Sequence, residues 1–408
     1  MLILENASLA DLRSGELLPQ HHIAIDRGVI TEVSDRPIAT RDGARIDLKG
    51  QCVLPGLIDA HFHATLTEMN PANSRDLPPT LMTARAGTLL RNTLMRGVTT
   101  VRDMGGADWG LRAATAEGAL LGPRMYIAGR ALSQTAGHGD LRRRTDHGTE
   151  CNCSNALAYM SVVADGVQGV QVAAREQLRQ GVDHLKVFVS GGVVSQNDPL
   201  ASAQYTNEEL AALVHEASSW GTYVAAHAYT AAAITRAVTS GVRTIEHGNL
   251  LDAPAAALMA QRHAYLVPTL ITYEAMRRKG PSLGLSEFSL GKLDTVLEAG
   301  LRSIELALRA GVRVGLGTDL LGELHEHQTE ELLIRGRLQK PHEVLRAATE
   351  VNAEILGQEG KLGVIAAGAY ADLIVTRGNP LDDLDILQHQ GRDITLMVKA
   401  GQVVKRLD

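Results

Sequence analysis

The sequence predicts an α/β protein, a (β/α)8 TIM barrel with a small β-sandwich attached, and three observations carry that prediction. Eight short apolar runs of strand character alternate with helical stretches through the middle of the chain, the pattern of a parallel sheet. These units occupy about 300 residues, the size of one closed barrel with its helices. Both ends of the chain read instead as short strands with tight turns, and neither has the apolar surface for a sheet of its own.

The eight strand candidates, in order, are "VLPGLIDAHFH", "TTVRDMGG", "RMYIAGR", "HLKVFVSGG", "TYVAAHAYT", "RTIEHGN", "AYLVPTLI" and "VRVGLGTD". Helical candidates between them include residues 84–96, 171–180, 206–220 and 293–310, and Thr206 followed by Glu209 has the capping-box pattern. An open doubly wound sheet would place a glycine-rich phosphate turn after its first strand. His61-Phe62-His63 stands there instead. Hairpin turns are expected at Asp26-Arg27-Gly28 near the start and at Lys399-Ala400-Gly401 near the end. The expected division is therefore residues 1–54 plus 358–408 as the sandwich and residues 55–357 as the barrel.

Composition removes several classes of function. A net charge of −6 spread along 408 residues gives no basic surface for nucleic acid, and 3% aromatics provide no base-stacking platform. No apolar run approaches the roughly 20 residues that span a bilayer. The first residues, "MLILENASLADLRSG", lack a basic segment followed by a long apolar one. Three cysteines are an odd number, with Cys151 and Cys153 too close for an ordinary disulfide framework, so reduced thiols in the cytoplasm are expected. The expected partners are a small-molecule substrate and further copies of the chain as a homo-oligomer.

Polar residues gather late in the strand candidates. His61 and His63 end the first, and residues at i and i+2 of a strand share a side. Lys186 lies in the fourth, His227 in the fifth, His247 in the sixth and Asp319 at the end of the eighth. Singly, each has a structural reading: a bonded core histidine, a lysine paired to a carboxylate, an aspartate capping a helix. Their shared position at one rim, where barrels carry their active sites, is what makes them a set. Imidazole nitrogen and carboxylate oxygen suit zinc and similar divalent ions. A lysine beside two cations is pushed toward its neutral amine, and a neutral amine can take up carbon dioxide to become a carbamate able to bridge them.

With these residues in place, the chain resembles the amidohydrolase superfamily of the binuclear type with a carboxylated lysine. The motifs are "PGLIDAHFH", "KVFVSGGV", "AHAYT", "IEHGN", "GLGTD" and "GAYADLIV". Within it, "VRDMGG", "SQTAGHGD", "SGGVVSQNDPL" and "GTDLLGELHEHQ" are similar to the prolidase-type subgroup of Xaa-Pro dipeptidases and N-acyl-amino-acid hydrolases. The resemblance implies two divalent metals, expected to be zinc. One would be held by His61, His63 and Asp319 and the other by His227 and His247, with carboxylated Lys186 bridging them. It further implies hydrolysis of an amide by a metal-bridging hydroxide, between ions about 3.5–4 Å apart. Asp319 would take the hydroxide proton and pass it to the leaving nitrogen, and His138 and Tyr229 would donate to the substrate carbonyl.

Three further segments are weighed. Arg142 or Arg144, in the polar stretch 140–153, would meet a substrate carboxylate if that stretch is a lid rather than a solvated loop or an oligomer contact. His147 with Cys151 and Cys153 is a weak metal set without a second cysteine pair. For His325 and His327 surface or packing is the leading reading, with His325 the better substrate-contact candidate because it follows Asp319 closely and His327 expected on the solvated surface. The glycines of "SGGVVS" lack the continuation of a phosphate loop and are expected to let backbone approach the substrate. The alternatives to a dipeptidase are a cyclic-amide hydrolase, a single-metal deaminase on the same barrel, which has no need of Lys186, and a barrel kept as a non-enzymatic scaffold.

Overall fold

The computed structural model describes residues 1–39, 43–142, 160–195, 198–279 and 287–407. In chain order the first strands are β1 (Leu2–Asp11), β2 (Glu16–Asp26), β3 (Val29–Ser34), β4 (Ala44–Asp47), β5 (Cys52–Pro55) and β6 (Leu57–Phe62). They are followed by β7 (Val98–Asp103), β8 (Arg124–Ile127), β9 (Ala131–Ser133), β10 (Ser161–Val163), β11 (Leu185–Phe188) and β12 (Val224–Thr230). The last are β13 (Thr244–Leu250), β14 (Tyr265–Val267), β15 (Arg313–Val314), β16 (Leu373–Thr376), β17 (Ile394–Lys399) and β18 (Gln402–Arg406).

The two ends of the chain meet in one mixed sheet of order β18-β17-β16-β5-β1-β2-β3, with β4 on β1. The join is antiparallel, with Leu373 opposite Pro55 and Thr376 opposite Cys52. Its strands share one apolar core, including Ile23, Ile25 and Ile30 from the first segment and Leu373, Val375 and Val398 from the last. Both expected hairpins are present, with Arg27 and Gly28 and then Ala400 and Gly401 in the left-handed region. The two turns touch: a Cβ on Gly401 would lie 2.8 Å from the Gly28 Cα, so a side chain fits at neither conformation nor contact.

The run "VLPGLIDAHFH" divides where a single strand was expected. Cys52–Pro55 belongs to the terminal sheet and Leu57–Phe62 to a parallel one. Gly56 is the pivot, because a Cβ there would sit 2.0 Å from the Thr99 hydroxyl oxygen. The middle of the chain forms two parallel sheets, β6-β7-β8 and β10-β9-β11-β12-β13-β14-β15. Backbone bonds cross between them at both edges, from Ala60 to the Leu316 carbonyl (2.9 Å) and from Asp183 to the Ile127 carbonyl (2.8 Å). The strands β9 and β10 were not anticipated, since three residues carry too little periodicity to read.

Helices α1 (Pro79–Met95), α2 (Trp109–Ala116), α3 (Gly166–Arg179), α4 (Asn207–Ser219), α5 (Ala231–Thr239), α6 (Ala253–Gln261), α7 (Leu270–Lys279) and α8 (Glu287–Arg309) connect the parallel strands. The Thr206–Glu209 box opens α4 with both of its bonds formed. Apolar faces of α3 to α6 meet the strands in one core around Val187, Ala226, Ile245 and Leu266. Asn352 closes the junction beside β6: its amide nitrogen donates to Ile58 O (2.6 Å) and Leu316 O (2.8 Å), and its oxygen accepts from Leu316 N (3.1 Å). Replacing Asn352 with Leu strands the Leu316 amide and removes the bonds to the Ile58 and Leu316 carbonyls, the latter keeping its bond from Ala60, and should cost about 2–4 kcal/mol, at about 1–3 kcal/mol for a stranded buried group. A chemical-denaturation midpoint measures it, and an unmoved midpoint would show that the junction is held elsewhere.

Candidate metal-binding active site

Each of the six strand-end residues lines one cavity of about 640 Å³: His61, His63, Lys186, His227, His247 and Asp319. His61 lies in β6, with His63 just beyond it, Lys186 in β11, His227 in β12, His247 in β13 and Asp319 past β15. Asp319 Oδ1 is 3.4 Å from His61 Nε2 and 3.2 Å from His63 Nε2, and its Oδ2 is 3.9 Å from His247 Nδ1. Ligand atoms of His61, His247 and Asp319 lie within 4.8 Å of one another. The His227 and His247 ring centres are 4.6 Å apart.

Backbone conformation brings these groups together. His247 and Asp319 have φ of 74° and 52°, left-handed values that a side chain rarely adopts and that concentrate at functional sites. Thr318 and Asp319 both donate their amides to His61 O, at 3.2 and 2.8 Å. Gly317 allows this approach, since a Cβ there would meet His61 Cβ at 2.6 Å.

Each histidine has one ring nitrogen engaged by a second group. His61 Nδ1 is 2.9 Å from Glu246, His63 Nδ1 2.9 Å from Gly105 O, His247 Nδ1 2.8 Å from the Thr269 hydroxyl and His227 Nε2 3.1 Å from Gly191 O. A ring fixed in this way offers its other nitrogen to a metal, and such outer partners are a regular part of metal sites. The donor set therefore fits divalent ions: four oriented imidazoles, a carboxylate and an amine around one cavity.

The electrostatics agree. Burial, reinforced by neighbouring cations, holds His227 and His247 well below the usual imidazole range, so both are neutral donors. Burial opposes ionisation of Asp319, yet His61, His63 and His247 hold its carboxyl well below the usual range. For His63, burial works against the cation, but the Asp319 and Asp103 carboxylates outweigh it and raise the ring. Burial pushes the Lys186 ammonium down to about 8, within reach of the neutral amine.

His138 lines the cavity, its ring 4.4 Å from that of His227 and its Nδ1 2.8 Å from the Ser195 hydroxyl. Tyr229 is not on that wall: it stacks on His247 at 5.2 Å, and its hydroxyl pairs with the Tyr273 hydroxyl at 2.8 Å. His325 lies in the core against Phe62, ring centres 5.0 Å apart, and burial pushes its cation down to about 3. An apolar neighbour on a packed turn, rather than the cavity, is what surrounds it. His327, expected on the surface, is half-buried and bonded to Glu330. Arg142 lines the cavity with Nε and Nη2 both on Asp140, at 2.7 and 2.6 Å. Arg144, His147, Cys151 and Cys153 lie outside the described residues. The "SGGVVS" glycines make room for neighbours rather than for substrate: a Cβ on Gly192 would fall 2.0 Å from His138 Cε1, and one on Gly191 1.9 Å from Pro199 O.

Sequence reasoning missed the supporting layer. Arg102 Nη2 donates to both oxygens of Glu246, at 2.8 and 2.9 Å, and Glu246 in turn holds His61. Asp59 accepts from His61 N (3.1 Å), from the Thr318 amide (3.1 Å) and hydroxyl (2.6 Å), and from Gln328 Nε2 (2.8 Å). The available signal was a charge inside a fully buried run, as in "TTVRD" and "TIEHG".

A family model described as "Amidohydrolase family" matches residues 52–404, most of the chain, and the chain belongs to that family. Ochratoxinase of Aspergillus niger is 31% identical over 365 residues, covering 86% of this chain and 75% of that protein. The solved structure of a prolidase complexed with N-methylphosphonate-L-proline has a TM-score of 0.97 and 44% identity, covering 100% of both chains. A Xaa-Pro dipeptidase solved with methionine in its active site has a TM-score of 0.87 and 28% identity, covering 99% of both. The chain is thus a prolidase-like member of a family of C–N bond hydrolases.

Glu246→Gln removes the charge that holds His61 and leaves Arg102 as an uncompensated buried cation. Metal affinity should fall by about 10–100-fold, as read by chelator competition. Unchanged affinity would mean that Glu246 does not set the His61 ring.

Proposed function

We propose that this amidohydrolase-family chain is a two-metal amide hydrolase whose substrates are dipeptides, Xaa-Pro among them, or N-acyl amino acids. One observation carries the reading: four histidines with one ring nitrogen engaged face the same cavity as Asp319 and a lysine whose burial favours its amine. His61, His63 and Asp319 would hold one ion and His227 and His247 the other, with carboxylated Lys186 between them. Divalent ions held there, zinc by the nitrogen-rich donor set, supply an activated water and polarise the scissile carbonyl.

The chain's own residues do the rest. Asp319 is positioned to accept a proton and return it to the leaving nitrogen, which an amide needs because the amine is a poor leaving group unprotonated. The Nε2 edge of His138 supplies the hydrogen bond to the carbonyl oxygen, its Nδ1 edge being engaged by Ser195. Tyr229, lying deeper with its hydroxyl on Tyr273, would support the His247 ring and reach the substrate only through a rearranged hydroxyl pair.

Leu66, Leu141, Met160, Phe188, Val194 and Leu321 form an apolar wall suited to a substrate side chain or acyl group. Asn70, Asp140 and Arg142 form its polar counterpart, and Arg142 would meet a substrate carboxylate while sharing its guanidinium with Asp140. The eight strands β6, β7, β8 and β11 to β15 are read as one closed barrel formed by residues 55–357, with 1–54 and 358–408 as its sandwich. A buried, unpaired Cys52 accords with a reducing cytoplasm, and exposed Trp109 and Trp220 accord with a homo-oligomer.

Lys186 favours this reading over a single-metal deaminase, which needs no bridging carboxylate. Lys186→Ala should abolish turnover, with small carboxylic acids restoring part of it, whereas full activity would remove the bridging role. Metal analysis of zinc-grown protein should give about two ions per chain; a single equivalent would favour the deaminase. A panel of Xaa-Pro, Xaa-Arg/Lys, Xaa-hydrophobic, N-acyl-amino-acid and cyclic-amide substrates tests the chemistry directly, and turnover of the cyclic amides alone would overturn the dipeptidase assignment.

A further inference from the structure

We propose that Lys292 is a positioning residue for this reaction, an ammonium clamp that fixes the loop behind His138 and His227. The inference rests on the functional reading above for what His138 does, but its geometry stands independently. Lys292 is on α8, away from the strand ends, and only 7% exposed. Its Nζ donates to the carbonyls of Gly192 and Ser195 (2.6 Å) and of Asp198 (3.2 Å). An ammonium has three N–H donors, and three carbonyls of one loop converge on them. Burial lowers the lysine, and the nearby Asp198 carboxylate offsets part of that effect.

That loop holds both histidines. Gly191 O meets His227 Nε2 at 3.1 Å, and the Ser195 hydroxyl meets His138 Nδ1 at 2.8 Å. Asp198 Oδ2 lies 3.7 Å from the same nitrogen while accepting from Gly192 N (3.2 Å) and Gln204 Nε2 (3.1 Å). The His138 ring also rests on Gly192, where there is no space for a side chain. Without the ammonium, three carbonyls pointing at one place repel each other, and the loop relaxes by turning at least one away. Ser195 then moves relative to His138, and the donor aimed at the scissile carbonyl loses its line. A displacement of about 1 Å in a catalytic group can cost about a hundredfold in rate.

The test is Lys292→Met, which keeps the stem and removes the charge, with Lys292→Arg as the conservative variant. On an amide turned over by the wild type, Lys292→Met should lower kcat by about tenfold to a hundredfold. KM should change by less than about threefold, since substrate binding is not what is lost. Metal content in excess zinc should stay at the wild-type value, because the Gly191 carbonyl on which His227 rests is not among the three that Lys292 bonds, and Lys292→Arg should recover part of the rate. Hydrogen exchange should quicken in peptides covering 136–141 and 189–204 and not in the rest of the chain. Unchanged kcat, or a loss accompanied by metal loss or by faster exchange across the whole chain, would overturn the proposal. Should the wild type hydrolyse no amide, the functional reading fails instead. The clamp is then judged by exchange alone, upheld by local quickening at those two segments and overturned by its absence.

Discussion

The buried carboxylate of Glu246 is the group around which the site is organised. It is fully removed from solvent, as is its partner Arg102. Arg102 also donates to Ala60 O (2.6 Å) and the Thr244 hydroxyl (3.2 Å), and Glu246 receives the Thr244 hydroxyl (2.6 Å) as well as His61. One ion pair thereby ties β6, β7 and β13 together and sets the His61 ring. Burial alone would raise Glu246, but Arg102, with His61 and Lys186, holds it well below the usual carboxylate range. A buried pair of this kind is weak evidence for stability, because desolvating both charges offsets much of their attraction. Its value here lies in geometry: neither partner can leave without stranding the other.

The same economy recurs one layer out. Asp59 joins the His61 amide to Thr318 and Gln328, and Asp103 accepts from Ala64 N (2.7 Å), Gly105 N (3.0 Å) and Ala107 N (3.2 Å), fixing the carbonyl on which His63 rests. Lys292 gathers the carbonyls of Gly192, Ser195 and Asp198 much as these carboxylates gather the amides at the strand ends. The cavity side chains come from strands and strand ends, their orientation comes from buried groups beside them, and the strained backbone at His247 and Asp319 is sustained by that surround.

Much of this was legible in the chain. Strand-helix alternation identified the parallel sheets, because apolar periodicity reflects which faces are buried, and two-residue spacing identified His61 and His63 as neighbours. Helix limits moved by a few residues, as with α1 beginning at Pro79 rather than 84, since fraying and capping decide ends more than pattern does. Short β9 and β10 escaped notice, and Gly56 was read through as strand, because its role depends on Thr99, a contact distant in sequence.

The sequence by itself determined the donor chemistry: histidine, lysine and aspartate in five of eight strand candidates of a parallel sheet can converge only at one rim of it. The tertiary structure alone decided which neighbours each ring has. It set Tyr229 behind the cavity wall and packed His325 on Phe62, turned the glycines of "SGGVVS" toward His138 and Pro199, and set Lys292 beneath the loop. The physical reason is range. A residue's type and its local period are written within a few positions of it, whereas a ring's hydrogen-bond partner, 185 residues away for His61 and Glu246, exists only once the chain has folded.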